Sequence, residues 1–360
     1  MASTDAFVSW TRYRRITVLI YGAYGYTGEL VAREAADRGL DVVLAGRNGT
    51  KTRGLAIRLD VDSRVFPLGN ARDHLDGIDA VLNCAGPFVR TAEPMVEACL
   101  ATGTHYLDIT GEIPVSESLA ERDREAESAN ICLLPGVGFD VVPTDCLAVH
   151  LHDRLPSATQ LRLGIDVPGS FSGGTLATAL EQVDTGGMVR QDGRFRSEAP
   201  GARTRTIDFG DGPEHAVSAP MDDVSTAYYS TGIENVEVYL AVPEYAEHLL
   251  GASRYLTPLL TVPAIKSGLQ ALVRALVSGP DADTRERERV FLWGEATDGK
   301  TTVTSRLETP ETYALTVDAA TTALERMEAS AATAGYQTPA TAFGPEYVLE
   351  LDSVEVFLDE

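Results

Sequence analysis

Three glycines spaced by two residues, Gly22, Gly25 and Gly28, stand between the short apolar run Ile16 to Tyr21 and a helical pattern from about Thr27 to Arg38. This passage from strand through glycines to helix restricts the fold more than any other part of the chain. Ile16 to Tyr21 is rich in β-branched residues and predicts a buried strand. Leu30, Val31 and Ala35 share one side of the following helix, and Gly39 is its stop signal. Small residues let a backbone approach a pyrophosphate without Cβ clashes. The unpaired N–H groups and dipole of a helix N-terminus favour the same anion. Tyr21-Gly22-Ala23-Tyr24-Gly25-Tyr26-Thr27-Gly28 therefore predicts a dinucleotide site, in GxxGxxG spacing and not the commoner GxGxxG.

The alternation continues. Asp41 to Ala45 predicts a second strand, Val65 to Leu68 a third, and Ala80 to Ala85 a fourth, closed by Gly86-Pro87. Helix signals resume at Glu93-Pro94, where proline suits a first turn, and run to Thr102. His105 to Ile109 is a fifth strand, Pro114 to Ala129 a charged surface helix, and Ile131 to Leu134 a sixth strand ending at Pro135-Gly136. The expectation is an α/β fold, a Rossmann-type doubly wound parallel sheet. Strands then predominate at Gln160 to Val167, Val236 to Val242, Val290 to Glu295 and Thr301 to Leu307, which predicts a second, mixed α+β domain. The expected organisation is a nucleotide-binding domain over 1–156, a substrate and oligomerisation domain over 157–309, and a segment over 310–360 that packs back on the first domain through a helix from Pro310 to Met327.

The second strand sorts the cofactor. A site for NAD places Asp or Glu about 20 residues beyond the glycines, whereas a site for NADP offers arginine to the 2′-phosphate. Arg47, followed by Asn48, stands there, and no carboxylate lies between Asp41 and Asp60. NADP(H) is the expected cofactor, since the guanidinium fork suits a phosphate dianion. The net charge of −23 makes nucleic acid an improbable partner, and the scarcity of lysine, three against 27 arginines, fits an acidic surface adapted to high salt. Met1 to Arg15 lacks the apolar core of a signal peptide and no span is long enough to cross a membrane, so a cytoplasmic protein is expected. Cys84, Cys99, Cys132 and Cys146 form no CxxC pair and have no histidines at ligand spacing, so buried thiols and no metal are expected.

Gly22 to Gly28, followed by Gly39-Leu40-Asp41-Val42-Val43-Leu44-Ala45-Gly46-Arg47-Asn48, resembles the NADP-binding domain of saccharopine dehydrogenase-like proteins. Asn83-Cys84-Ala85-Gly86-Pro87-Phe88, His105 to Glu112, and Pro135 to Asp140 resemble later strand ends of that family. Ser172 to Thr175, Ser230 to Asn235, Trp293 to Ala296 and Gly335 to Ala340 resemble its branch of trans-acting enoyl reductases. The resemblance implies hydride transfer from NADPH to a small or lipid-like acceptor such as an enoyl double bond. A saccharopine-type C–N oxidoreduction is the rival chemistry, and a non-catalytic NADP(H) sensor or scaffold the rival class. One position departs from the family: Tyr24 replaces a small hydroxyl residue.

Ligands of open α/β sheets sit outside the carboxyl ends of the strands. That rule selects Asn83, Ala85, Gly86, Pro87 and Phe88 as cofactor contacts, beside Gly22 to Gly28, Arg47 and Asn48. It also selects Tyr106, Asp108, Glu112 and Asp140 as candidate acid–base groups, each of which has the alternative of holding a loop or capping a helix. The Tyr-x-x-x-Lys couple of short-chain dehydrogenases is absent: Arg47, Val262 and Ala296 stand four residues before the three lysines. Neither a Gly-x-Ser-x-Gly elbow nor a Walker lysine motif is present. Ser172-Gly173-Gly174-Thr175 opens a helical pattern that is either an anion site or a simple cap. Leu259 to Val277 reads as core, a lid or a homodimer face.

Overall fold

A computed structural model of the chain describes residues 15–167, 187–199, 201–210, 212–243, 267–269, 272, 281–329, 333–354 and 357–359. The proposed anion site at Ser172 to Thr175 and most of Leu259 to Val277 lie outside these residues. Strand and helix alternate through the first part: β1 (Thr17–Tyr21), α1 (Tyr26–Asp37), β2 (Asp41–Gly46), α2 (Gly49–Leu59), β3 (Asp62–Val65), β4 (Ala80–Asn83), α3 (Phe88–Thr102), β5 (His105–Asp108), α4 (Ile113–Glu121), α5 (Asp123–Ala129) and β6 (Cys132–Leu134). All pairings in this sheet are parallel, in the order β6-β5-β4-β1-β2-β3, and the two-residue strand Gly335–Tyr336 extends it beyond β6. This is the doubly wound order expected for a dinucleotide fold. Leu19, Ile20, Val81, Leu82 and Leu107 are inaccessible, as strands covered by helices on both faces require.

Three elements depart from their expected limits. The third strand spans Asp62–Val65, and Pro67 begins a 3-10 turn over Leu68–His74 where strand was expected. Helix α3 begins at Phe88, not near Glu93, and Pro94 lies inside it. The carboxylate of Glu112 supplies the reason, accepting from the amides of Phe88 and Val89 and so capping an N-terminus that has no local cap. The expected surface helix over 114–129 is two helices, broken at Arg122.

The second part contains α6 (Val142–Arg154), β7 (Gln160–Asp166), β8 (Gly187–Gln191), β9 (Arg194–Glu198), β10 (Thr204–Asp208), β11 (Pro213–Ser218), α7 (Asp223–Thr231), β12 (Asn235–Ala241), α8 (Ala282–Arg287), β13 (Arg289–Thr297), β14 (Thr302–Pro310), α9 (Thr312–Ala329), β15 (Gly335–Tyr336), α10 (Pro339–Phe343) and β16 (Leu358–Asp359). Its sheet is mixed, β10-β11-β12-β7-β13-β14-β16, with the β8–β9 hairpin against β12 and β12 parallel to β7. Helix α6 lies directly on this sheet: a Cβ at Gly294 of β13 would come 2.4 Å from a methyl of Leu151. One apolar core runs continuously from Ile20 and Leu44 through Leu147 to Leu163 and Leu292.

The segment over 310–360 serves both sheets. Helix α9 packs on α1, where Arg38 is ion-paired to Asp318 and Glu325, and β15 joins the parallel sheet. Strand β16 pairs with β14 of the mixed sheet, so this segment does not belong to the first domain alone.

Candidate active site

The glycine turn is closed by contacts that tolerate no side chains. Gly22 adopts a left-handed φ of +83° and donates its N–H to the Ala45 carbonyl at 2.9 Å. A Cβ there would fall 2.9 Å from the backbone nitrogen of Ala85. At Gly28 a Cβ would come 2.4 Å from the Gly22 carbonyl oxygen. Gly25 caps α1 without a side-chain bond, and the first helical bond is Glu29 to Gly25. The glycine turn thus stands at the positive end of a 12-residue helix.

At the end of β2, Arg47 is exposed. Asn48, an expected cofactor contact, accepts the Lys51 amide on its Oδ1 at 3.1 Å and caps α2. Tyr24 lies across Gly46, where a Cβ would meet its ring at 2.5 Å, and the Lys51 ammonium stands 5.8 Å from the ring centre. The bulky residue is accommodated because Gly46 has no side chain.

The ends of β4, β5 and β6 are laced together. Asn83, fully buried, donates to the Tyr106 hydroxyl and to Thr91 and accepts from the Ala85 amide. Gly86-Pro87 is a cis peptide; Gly86 is exposed, whereas Pro87 and Phe88 are buried. Tyr106 donates to Asp108 at 2.7 Å, and Asp108 also accepts the amides of Thr110 and Gly136, each at 3.0 Å. Burial pushes the Asp108 carboxyl up to about 6 despite these donors. Glu112 has both oxygens on the amides of α3. Tyr106, Asp108 and Glu112 are each buried and engaged in joining loops.

Asp140 stands apart. Its side chain is exposed, and it rests on Gly111, where a Cβ would come 2.7 Å from its Oδ2. Desolvation pushes its carboxyl up to about 6.

Near Asp140 lies a seam of acids that are not among the candidates read from the sequence. Asp222 and Asp223, at the start of α7, are fully buried. Asp222 accepts from Ser116 of α4 at 2.6 Å, Asp223 from Thr144 of α6, and Asp145 of α6 from the Ala340 amide at 2.8 Å. Among the described residues, Asp222 Oδ1, Asp223 Oδ2 and the Tyr336 hydroxyl have no hydrogen-bond partner. Burial pushes Asp145 up to about 6, Asp223 to about 7 and Asp222 well above the carboxylate range, and the charge of Asp140 adds to the last two. The adjacent pair Asp222-Asp223 between Met221 and Val224 was the available signal, but alone it reads as an ordinary helix start.

Among the described residues no His, Cys, Asp or Glu group is arranged to hold a metal ion, and no helix is long and apolar enough to cross a membrane. The cysteines are free, with Cys99, Cys132 and Cys146 buried and Cys84 partly so. His105 accepts the Cys132 amide and His150 stacks on Phe357, both structural contacts.

Residues 18–134 match the family model of the saccharopine dehydrogenase NADP binding domain, over the glycine turn and the strand ends just described. Residues 18–134 thus form an NADP-binding domain similar to that of saccharopine dehydrogenase. A trans-acting enoyl reductase of Mycobacterium bovis is 30% identical over 219 residues, covering 56% of this chain and 52% of its own. One of Mycobacterium leprae is 29% identical over 153 residues, covering 39% and 37%. The chain spans about half the length of the relatives it matches, 45% and 52% for two of them. Apo saccharopine dehydrogenase (L-Glu forming) from Saccharomyces cerevisiae shares the fold, with a TM-score of 0.66 at 13% identity over 93% of this chain and 96% of its own.

Proposed function

We propose that this chain is an NADP(H)-dependent oxidoreductase that reduces an enoyl or related small or lipid-like acceptor, with Asp140 as its proton donor. The glycine turn fits the cofactor: its bare Cα positions and the positive end of the α1 dipole suit a diphosphate, and Arg47 suits the 2′-phosphate. The bound cofactor supplies the hydride. The chain supplies the rest. Backbone at Gly22 to Gly28 holds the anion, the interlaced ends of β4, β5 and β6 fix the floor, and the mixed sheet, with residues 157–309 as substrate domain, walls the acceptor.

The observation that carries the reading is the sorting of the acid candidates. Tyr106, Asp108 and Glu112 are buried and hydrogen-bonded, whereas Asp140 is an exposed residue in the loop after β6, its carboxyl resting on Gly111. With a carboxyl pushed up to about 6, Asp140 keeps a useful protonated fraction near neutral pH and can deliver a proton beside the carbon that accepts hydride. The names of the partial relatives favour an enoyl acceptor over an imine.

The test is NADPH oxidation with an enoyl thioester and, separately, with a 2-oxo acid plus an amino acid. Turnover on the thioester, slowed ~100-fold or more in Asp140→Asn with NADPH affinity unchanged, is expected. Wild-type activity on the thioester should decline above about pH 6 as Asp140 loses its proton. Turnover only with the imine-forming pair would transfer the chain to C–N chemistry. Tight NADPH binding with silence on both would favour a sensor or scaffold.

A further inference from the structure

Tyr24 joins three parts of the cofactor domain. Its ring lies over Gly46 at the end of β2, so close that a Cβ there would stand 2.5 Å from Tyr24 Cε1 and 3.3 Å from Thr52 Oγ1 of α2. Thr52 is fully buried and donates to the Asn48 carbonyl at 2.8 Å. The glycine turn, the end of β2 and the first turn of α2 thus meet around one aromatic ring. The ammonium of Lys51, an exposed residue, stands 5.8 Å from the ring centre. The Tyr21 hydroxyl, bonded to the Phe66 carbonyl, lies within the field of both Tyr24 and Arg47. Two cations, Lys51 and the Arg47 that follows Gly46, therefore stand beside Tyr24.

Neither cation is ion-paired among the described residues, and α2 has no acid in its first turn. In a chain of 53 acids and 30 bases, the stretch between Asp41 and Asp60 carries bases alone. Like charges gathered at the positive end of a helix repel one another unless an anion is taken up between them. NADP(H) differs from NAD(H) by one phosphate monoester, whose charge of about −1.5 to −2 exceeds what one guanidinium offsets. We propose that Lys51 is the second cation of the 2′-phosphate subsite, beside Arg47, and that Tyr24 is a positioning residue that holds the lysine stem there. The proposal rests on the NADP(H) reading above and deepens it by naming how the site tells NADP(H) from NAD(H). Lysine is a point charge on a flexible stem, so a ring face that restricts it lowers the ordering cost when the phosphate binds. Arg53, two residues on, lies over Gly49 instead, its Nη1 3.2 Å from where a Cβ would stand and where Val65 of β3 also approaches.

The experiment titrates NADPH and NADH, which differ only in the 2′-phosphate, into the full chain by calorimetry at one fixed salt concentration. Lys51→Gln is expected to weaken NADPH about tenfold and to leave NADH within about twofold of wild type. Arg53→Gln, the same change of charge over Gly49, should leave both dinucleotides within about twofold. Tyr24→Leu should weaken NADPH about threefold, and Tyr24→Phe, which keeps the ring, should bind it as wild type does. In the Lys51→Gln background Tyr24→Leu should add no further loss, because the ring acts through the lysine. Unchanged NADPH binding in Lys51→Gln would overturn the proposal. So would an equal loss of both dinucleotides, or a loss in Arg53→Gln as large as in Lys51→Gln, the mark of general charge. Additive losses in the double variant, or Tyr24→Phe as weak as Tyr24→Leu, would overturn the role of Tyr24. If Arg47→Ala removes the preference for NADPH while Lys51→Gln keeps it, the cofactor reading stands and this proposal alone fails. A wild type that binds NADPH no better than NADH would overturn that reading, and this proposal with it.

Discussion

The glycine turn after β1 and the acid seam between α6 and α7 treat their polar groups in opposite ways. At the turn the backbone is packed against itself, Gly28 over the Gly22 carbonyl and Gly22 against Ala85, at the positive end of the α1 dipole. At the seam, Asp145, Asp222 and Asp223 are buried, and among the described residues Asp222 and Asp223 each have one oxygen bonded and the other without a partner. The first arrangement presents a positive helix end, the second unspent acceptors. Negative charge is welcome at the turn and disfavoured at the seam, so the seam acids hold their protons where ordinary carboxylates would not.

The largest effect is expected where the turn is broken. Gly28→Ala forces a Cβ into the Gly22 carbonyl, and should cost roughly 1–3 kcal/mol of stability and about 100-fold in NADPH affinity. Denaturant melts and a fluorescence titration measure both; near-normal affinity would show that the turn is not the diphosphate site. Glu112 sharpens the contrast, because it is a buried acid whose two oxygens are both on amides. Glu112→Gln loses charge at the α3 N-terminus and should destabilise by about 1–2 kcal/mol at neutral pH.

Asp223→Asn should do the reverse. With a folded value of about 7 against its usual 3.8, Asp223 keeps its proton when folded while the unfolded chain releases it. Wild-type stability therefore falls as pH rises from about 4 to about 7 through this group, and is unaffected by it outside that window. Asparagine cannot ionise and still accepts from Thr144. The variant should match wild type at pH 4 and exceed it by up to about 4 kcal/mol at pH 8. A variant weaker than wild type at pH 8 would mean that the seam holds a charged carboxylate.

Local patterns carried the first sheet. The strand, the three glycines and the helix after them are contiguous, so the turn was legible down to Gly22, Gly25 and Gly28, and Gly39 does follow α1 in a left-handed conformation. The start of α3 was not, because its cap, Glu112, comes 24 residues after Phe88. The seam was invisible for the same reason. Ser116, Thr144, Asp145, Asp222 and Tyr336 meet only when α4, α6, α7 and β15 converge, and each alone reads as a surface or capping residue. Distinguishing Asp140 from Asp108 likewise required exposure, since both sit at strand ends in sequence.

The contact between Gly294 and Leu151 bears on how the molecule comes apart. With no gap between β13 and α6, and one core continuing from the parallel sheet through α6 into the mixed one, neither half has an inner wall of its own. Removing the mixed sheet would leave Leu147 and Leu151 facing water, so α6 acts as a party wall whose owners stand or fall together.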